Sequence, residues 1–165
     1  MHATEQSCPL AGPLDPVAAL DLNNAHSKET SELDLAGMKS LLGIAFYARG
    51  LDGGSTALLI ALDQNASYDN QNFAWFKSRF ESFVYIDRVI VAASARGQGL
   101  ARLLYEDLFT LAKQAGHQRI VCEVNLDPPN PASDAFHTTL GFMEIGQAAI
   151  HNRTKTVRYF EKTLA

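Results

Sequence analysis

A strand, a glycine turn and an amphipathic helix follow one another between Tyr85 and Gly116, and this succession restricts the fold more than any other stretch of the chain. Tyr85-Ile86-Asp87-Arg88-Val89-Ile90-Val91 is rich in β-branched residues and reads as a buried strand. Arg96-Gly97-Gln98-Gly99-Leu100-Ala101 comes next, and Leu100, Leu103, Leu104, Leu108, Leu111, Ala112 and Ala115 then recur at helical spacing until Gly116 stops the run. One face of that helix is apolar and needs a sheet to cover. Two glycines at a strand-to-helix turn clear side chains from the path of a ligand, let backbone N–H groups face it, and set it at the positive end of the helix dipole. The turn therefore suits an anion, most naturally a phosphate or pyrophosphate.

Competing readings of the turn lose residues. A P-loop needs Gly-x-x-x-x-Gly-Lys-Ser/Thr, and no lysine follows these glycines. The dinucleotide fingerprint needs a third glycine where Arg102 stands, although Glu123, near the end of the next strand, could pass for its ribose-binding acid. A tight turn without a ligand is the usual meaning of a lone pair of glycines, but Arg96 and Ala101 extend this pair into a longer pattern.

That pattern, Arg/Gln-x-x-Gly-x-Gly/Ala after a strand and opening a helix, resembles the acyl-CoA pyrophosphate loop of the GNAT superfamily of N-acetyltransferases. A second stretch, from Asn130 through Ala135 and His137 to Gly141 and Phe142, is similar to the superfamily's Asn-x-x-Ala-x-x-x-Tyr-x-x-x-Gly-Phe segment. The resemblance implies an α+β fold with a mostly antiparallel central sheet and one parallel βαβ unit, splayed to hold acyl-CoA. It implies acetyl-CoA as co-substrate, with no metal. Its pyrophosphate would lie on Arg96, Gly97, Gln98, Gly99, Leu100 and Ala101, with Arg102 following, and its pantetheine arm along Val89, Ile90 and Val91, with Asn125 and Asn130 as polar contacts. For the base that takes the amine proton, the resemblance points to Asp87, four residues before Val91, where many members carry a glutamate; Glu123 is the reserve. A salt bridge is the structural alternative for both carboxylates. His137 stands where the family has a tyrosine that protonates the departing thiolate; a packing role in the core is its alternative. The acceptor is a small-molecule amine or a peptide N-terminus. Because that tyrosine is replaced, a non-catalytic CoA-binding regulatory module is the rival reading.

With 165 residues, 47% of them hydrophobic, the chain is the size of one domain. We expect a flexible N-terminal tail over residues 1–15, where Cys-Pro, Gly-Pro and Asp-Pro steps fall close together, and a single acetyltransferase domain over 16–165. Fourteen basic against eighteen acidic residues, without long runs, give no nucleic-acid-binding surface. Cys8 and Cys122 fit neither a disulfide framework nor a metal spacing, and Cys122 reads as a small core residue. No cleavable leader or apolar run of membrane length is visible, so the expected location is cytoplasmic, away from membranes. A homodimer is left open.

Elsewhere the pattern is coarser. Residues 17–22 suit an opening strand or a short helix, and Leu35, Met38, Leu41 and Leu42 predict a helix capped by Asp34. The runs 43–49 and 56–62 read as a hairpin around Gly50-Leu-Asp-Gly-Gly. The long connection 63–83 carries Tyr68, Phe73, Trp75, Phe76, Phe80 and Phe83. It is either a short helix packing rings into the core or an aromatic wall over an acceptor site. Beyond the strand at 119–124, Asn130 caps a helix that ends near Gly141, and 142–150 with 155–164 form a closing hairpin.

Overall fold

Helix and strand boundaries follow the caps and glycines of the chain closely. The computed structural model describes residues 10–26, 30–127 and 129–164. In chain order they form β1 (Gly12–Pro13), α1 (Pro16–Ala25), α2 (Leu35–Ile44), β2 (Tyr47–Leu51), β3 (Ala57–Asp63), α3 (Gln71–Lys77), β4 (Val84–Val91), α4 (Leu100–Gln114), β5 (Arg119–Asp127), α5 (Pro131–Thr139), β6 (Met143–Ile150) and β7 (Lys155–Thr163). The strands make one seven-stranded sheet in the order β1-β2-β3-β4-β5-β7-β6. Its ladders β1·β2, β2·β3, β5·β7 and β6·β7 are antiparallel, and β4 runs parallel to β5 across the α4 crossover. This is the α+β arrangement expected. Among the described residues no helix is long and apolar enough to cross a membrane.

By internal contacts the chain divides into two compact units, residues 1–61 with 88–108 and residues 62–87 with 109–165. In the first, polar side chains tie helices to strands. The Tyr47 hydroxyl donates to Asp107 at 2.8 Å and Arg49 reaches the same carboxylate at 3.2 Å, which anchors β2 to α4. Arg88 on β4 donates to the buried Asn23 of α1 at 2.7 Å. Residues 17–22, which suit strand and helix equally on pattern, are helical, with Asp15 accepting from Ala18 N and Pro16 opening the first turn. Asp34 caps α2 by accepting from Gly37 N at 2.7 Å. That helix runs on to Ile44, so Gly43 and Ile44, expected in a strand, are its last turn. Part of the expected tail is also structured: Gly12 and Pro13 pair with Gly50 and Arg49, while residues 1–9 lie outside the described residues. Gly50 has no room for a side chain, since a Cβ there would strike the Ala57 carbonyl.

In the second unit the long connection after β3 contains α3, capped by Asn70, whose Oδ1 accepts from Asn72 N and Phe73 N at 2.9 and 3.0 Å. Phe73 and Phe76 are fully buried against Phe83, Tyr85 and Tyr159, so the core reading of these rings holds. β5 pairs with β7 along its whole length, whereas its parallel ladder with β4 covers Val84↔Ile120 and Tyr85↔Val121. Gly141, at φ 92°, ends α5 and turns the chain into β6.

Candidate active site

Within the first unit, the turn between β4 and α4 is exposed and shaped by its two glycines. Gly97 and Gly99 have φ of 81° and 73°, left-handed conformations that side chains rarely adopt, and nothing lies within 4 Å of where a Cβ would stand on either. A side chain at either position would stand in open space, so the glycines are required by backbone conformation and not by crowding. Leu103 N already bonds to Gly99 O at 3.0 Å, so the helix starts at the second glycine. Four of the residues expected to hold an acyl-CoA, Val89, Ile90, Val91 and Arg96, line one cavity of about 110 Å³ together with His26 and Thr30. The two additions come from the end of α1 and the connection beyond it, where a polar stretch carries no motif. An Arg96 guanidinium nitrogen lies 3.5 Å from His26 Nε2. Gln98 is exposed, Leu100 is buried at the start of α4, and Ala101 follows it on the helix. Arg102 forms an exposed i,i+4 pair with Glu106 at 3.0 Å, a weak bond that leaves the guanidinium accessible.

The remaining candidates belong to the second unit. Asn125 lies on β5 next to a register shift, and Asn130 spends its Oδ1 on Ser133 N as the cap of α5. Asp87 accepts from the Tyr68 hydroxyl at 2.6 Å. Glu123 accepts from the Tyr85 hydroxyl at 3.0 Å through Oε1, and its Oε2 is buried without a hydrogen-bond partner among the described residues. Burial pushes the Glu123 carboxyl up to about 7, the charge of Asp87 pushes it the same way, and the bond from Tyr85 opposes both. A carboxyl in that range with one unpartnered oxygen is suited to accept a proton near neutrality. Tyr85 itself is held far above its ordinary range by burial and by Glu123, so it serves as a hydrogen-bond donor and stays protonated. Neither Tyr68, Asn72 nor Tyr159 is marked by any motif. Tyr68 bonds Asp87 from the connection before β4, Asn72 acts on Glu123 from α3, and Tyr159, the β7 neighbour of Glu123, bonds Asn72; only tertiary packing brings them there.

His137 is buried, with its ring edge-on to Phe136 and Phe142 and stacked near Phe160 at 6.1 Å. Its Nδ1 donates to the Ser133 carbonyl at 2.7 Å, which places the neutral ring's single proton there. Burial lowers its pKa from the ordinary value. A neutral imidazole whose only N–H is bonded within its own helix has the environment of a core residue. Cys122 is also buried, and burial drives its thiol well up, which removes it as a nucleophile. Among the described residues no group of three or more His, Cys, Asp or Glu side chains could hold a metal ion.

Known proteins share this architecture. An N-acetyltransferase from Staphylococcus aureus Mu50 superposes with a TM-score of 0.69 at 16% identity, covering 94% of this chain and 98% of its own. The ribosomal-protein-S18-alanine N-acetyltransferase from Escherichia coli gives 0.66 at 16%, covering 94% of each chain. A putative acetyltransferase from Salmonella typhimurium, solved with its cofactor acetyl-CoA, gives 0.66 at 19%, again covering 94% of each. No curated protein sequence matches. The model of the acetyltransferase (GNAT) family matches residues 44–142, more than half of the chain, and that span holds β4, the glycine turn, Glu123 and the Gly141-Phe142 step. The chain belongs to the acetyltransferase (GNAT) family.

Proposed function

We propose that the protein moves the acetyl group of acetyl-CoA directly onto a primary amine, with Glu123 as the proton acceptor. The amine lone pair attacks the thioester carbonyl carbon, a tetrahedral intermediate forms, and its collapse breaks the C–S bond and releases the CoA thiolate. The proton lost by the amine goes to Glu123. The observation that carries the cofactor assignment is the exposed Gly97–Gly99 turn beside the cavity of Val89, Ile90, Val91 and Arg96, a surface of backbone donors and one cation fitted to a pyrophosphate and its attached arm. Acetyl-CoA bound to the Salmonella protein supports the choice of donor. Arg102, Asn125 and Asn130 are secondary contacts in this reading.

Glu123 is preferred to Asp87 because its unpartnered oxygen and raised pKa suit the task, while the Asp87 Oδ1 is already bonded by Tyr68 and its charge tunes Glu123. His137 is assigned to packing, and the thiolate leaves without a dedicated acid. A peptide N-terminus is favoured as acceptor by the likeness to the S18-alanine enzyme, and a small-molecule amine is the second class.

A ligand bound only to the folded state adds RT ln(1 + [L]/Kd), about 2.7 kcal/mol at a hundredfold excess over Kd, so acetyl-CoA should raise Tm by several degrees and NAD should not. No shift at millimolar acetyl-CoA, or an equal shift with NAD, overturns the cofactor assignment. The replaced tyrosine favours one rival, a CoA-binding module without turnover. Release of free thiol over a panel of peptide and small-molecule amines decides between the two.

A further inference from the structure

We propose that Asn72 is a positioning residue for the reaction: carried by α3 and fixed by the Tyr159 hydroxyl, its amide turns an N–H toward Glu123 and favours the ionised, proton-accepting carboxylate. The inference rests on the reading of Glu123 as base. It begins with a buried polar side chain that needs a reason. Asn72 is 8% exposed, in a helix whose other inward residues are aromatic. Its Oδ1 accepts from the Tyr159 hydroxyl at 2.9 Å, and Tyr159 is the cross-strand neighbour of Glu123 on β7. The Tyr159 ring cannot swing away, because Trp75 stacks on it at 4.1 Å and Phe76 meets it edge-on at 5.1 Å. With Oδ1 taken by a hydroxyl, only the Nδ2 hydrogens of the amide remain to face the carboxylate.

Asn72 lies close enough to Glu123 to lower its pKa, yet Oε2 has no hydrogen bond of ordinary geometry. The amide thus favours the charged carboxyl while the buried Oε2 keeps no hydrogen-bond partner of ordinary geometry among the described residues. The other groups acting on the carboxyl are Tyr85 and Asp87 from β4, Tyr159 from β7, with Arg79 near Tyr159, and the neighbouring Cys122. Asp87 raises the pKa of Glu123, and the Tyr85 bond and Asn72 lower it. The segment that supplies Asn72 is the long β3–β4 connection, whose helix is capped by Asn70.

The test is a pH titration of the Glu123 side-chain carboxyl by carbon NMR in the full chain labelled at glutamate, with Glu123→Gln identifying the signal. In Asn72→Ala the midpoint should move up by about one pH unit, the size expected from losing one donor facing a charge. Asn72→Asp keeps the shape and replaces the donor with a second carboxylate, so it should move the midpoint further in the same direction. Tyr159→Phe keeps the ring stack, releases the amide, and should give a smaller upward shift. Circular dichroism and Tm report whether each variant is folded. If Asn72→Ala is not, the other two carry the test. A midpoint that stays at the parental value in the folded variants, with only Tm falling, overturns the proposal and leaves Asn72 as a partner for Tyr159. If the midpoints shift as stated and Glu123→Gln still releases thiol at the parental rate with a reactive amine, the positioning stands and the base assignment fails.

Discussion

Glu123 and Asp87 lie on neighbouring parallel strands and each accepts from a tyrosine hydroxyl, but the Glu123 carboxyl is desolvated and keeps a buried oxygen without a hydrogen-bond partner among the described residues. If Glu123 takes the amine proton, it must be ionised, so kcat should fall as pH drops through its pKa of about 7. Glu123→Gln should lower kcat by about a hundredfold or more, erase that acidic limb and leave acetyl-CoA affinity unchanged. The pH profile with any reactive amine checks this, and an unaltered profile removes Glu123 from the mechanism. At Gly99 the reasoning is conformational. A side chain there meets no atom within 4 Å, so Gly99→Val should still fold, but valine at φ 73° forces the turn to rearrange and acetyl-CoA binding should be lost. Circular dichroism with a binding titration separates loss of fold from loss of site.

α3 is where neighbouring elements decide what a residue does. On sequence Trp75 is a candidate for direct substrate contact, but one face of its indole stacks on Tyr159 and the other lies under the Arg79 guanidinium, 3.6 Å from the ring centre. Both faces are used. Its edge packs on β6 at Gly146, where a Cβ would come within 2.5 and 2.8 Å of the indole. Gly146 also follows the register shift between β6 and β7, so α3, the strand irregularity and the indole form one fitted contact. Gly146→Ala should cost about 1–3 kcal/mol through overpacking, and Gly146→Ala with Trp75→Phe should recover part of that loss. Denaturant unfolding of the two single variants and the pair checks it; additive losses would mean that the contact is loose.

For the whole molecule, the desolvation of the Glu123 carboxyl makes stability depend on pH. Its folded pKa is raised from 4.5 to about 7, so its contribution favours the folded state fully below the unfolded value and is lost as pH rises through the folded one. The loss is on the order of 3 kcal/mol between those limits, since each pH unit that separates the two values is worth about 1.36 kcal/mol. Glu123→Gln, which cannot ionise, should therefore gain stability over the parent at pH 8 and show no such gain at pH 4. Thermal or urea unfolding across that range tests it, and a difference between the two proteins that does not change with pH refutes the linkage.

Local features are legible in the residues alone. Asp34, Asn70 and Asn130 cap helices, although only the first and last announce themselves, because α3 is too short to show its period. The glycine turn, the α4 stripe, the parallel step from β4 to β5 and the closing hairpin each depend on contacts within a few residues or on a repeat of fixed period, and such information lies along the chain. Residues 17–22 stay open between strand and helix because a short apolar run fits both periods, and the Asp15 cap with Pro16 resolves it. The surroundings of the carboxylates cannot be read in this way. Whether the Glu123 carboxyl is buried, whether Tyr85 or Asp87 sits beside it, and whether His137 faces Ser133 or a substrate depend on strand register and on a helix arriving from a distant part of the chain. The sequence by itself determined most of the elements and the glycine turn, because their causes are local. Only the tertiary structure decided which carboxyl is desolvated, because desolvation is a property of what packs around a group.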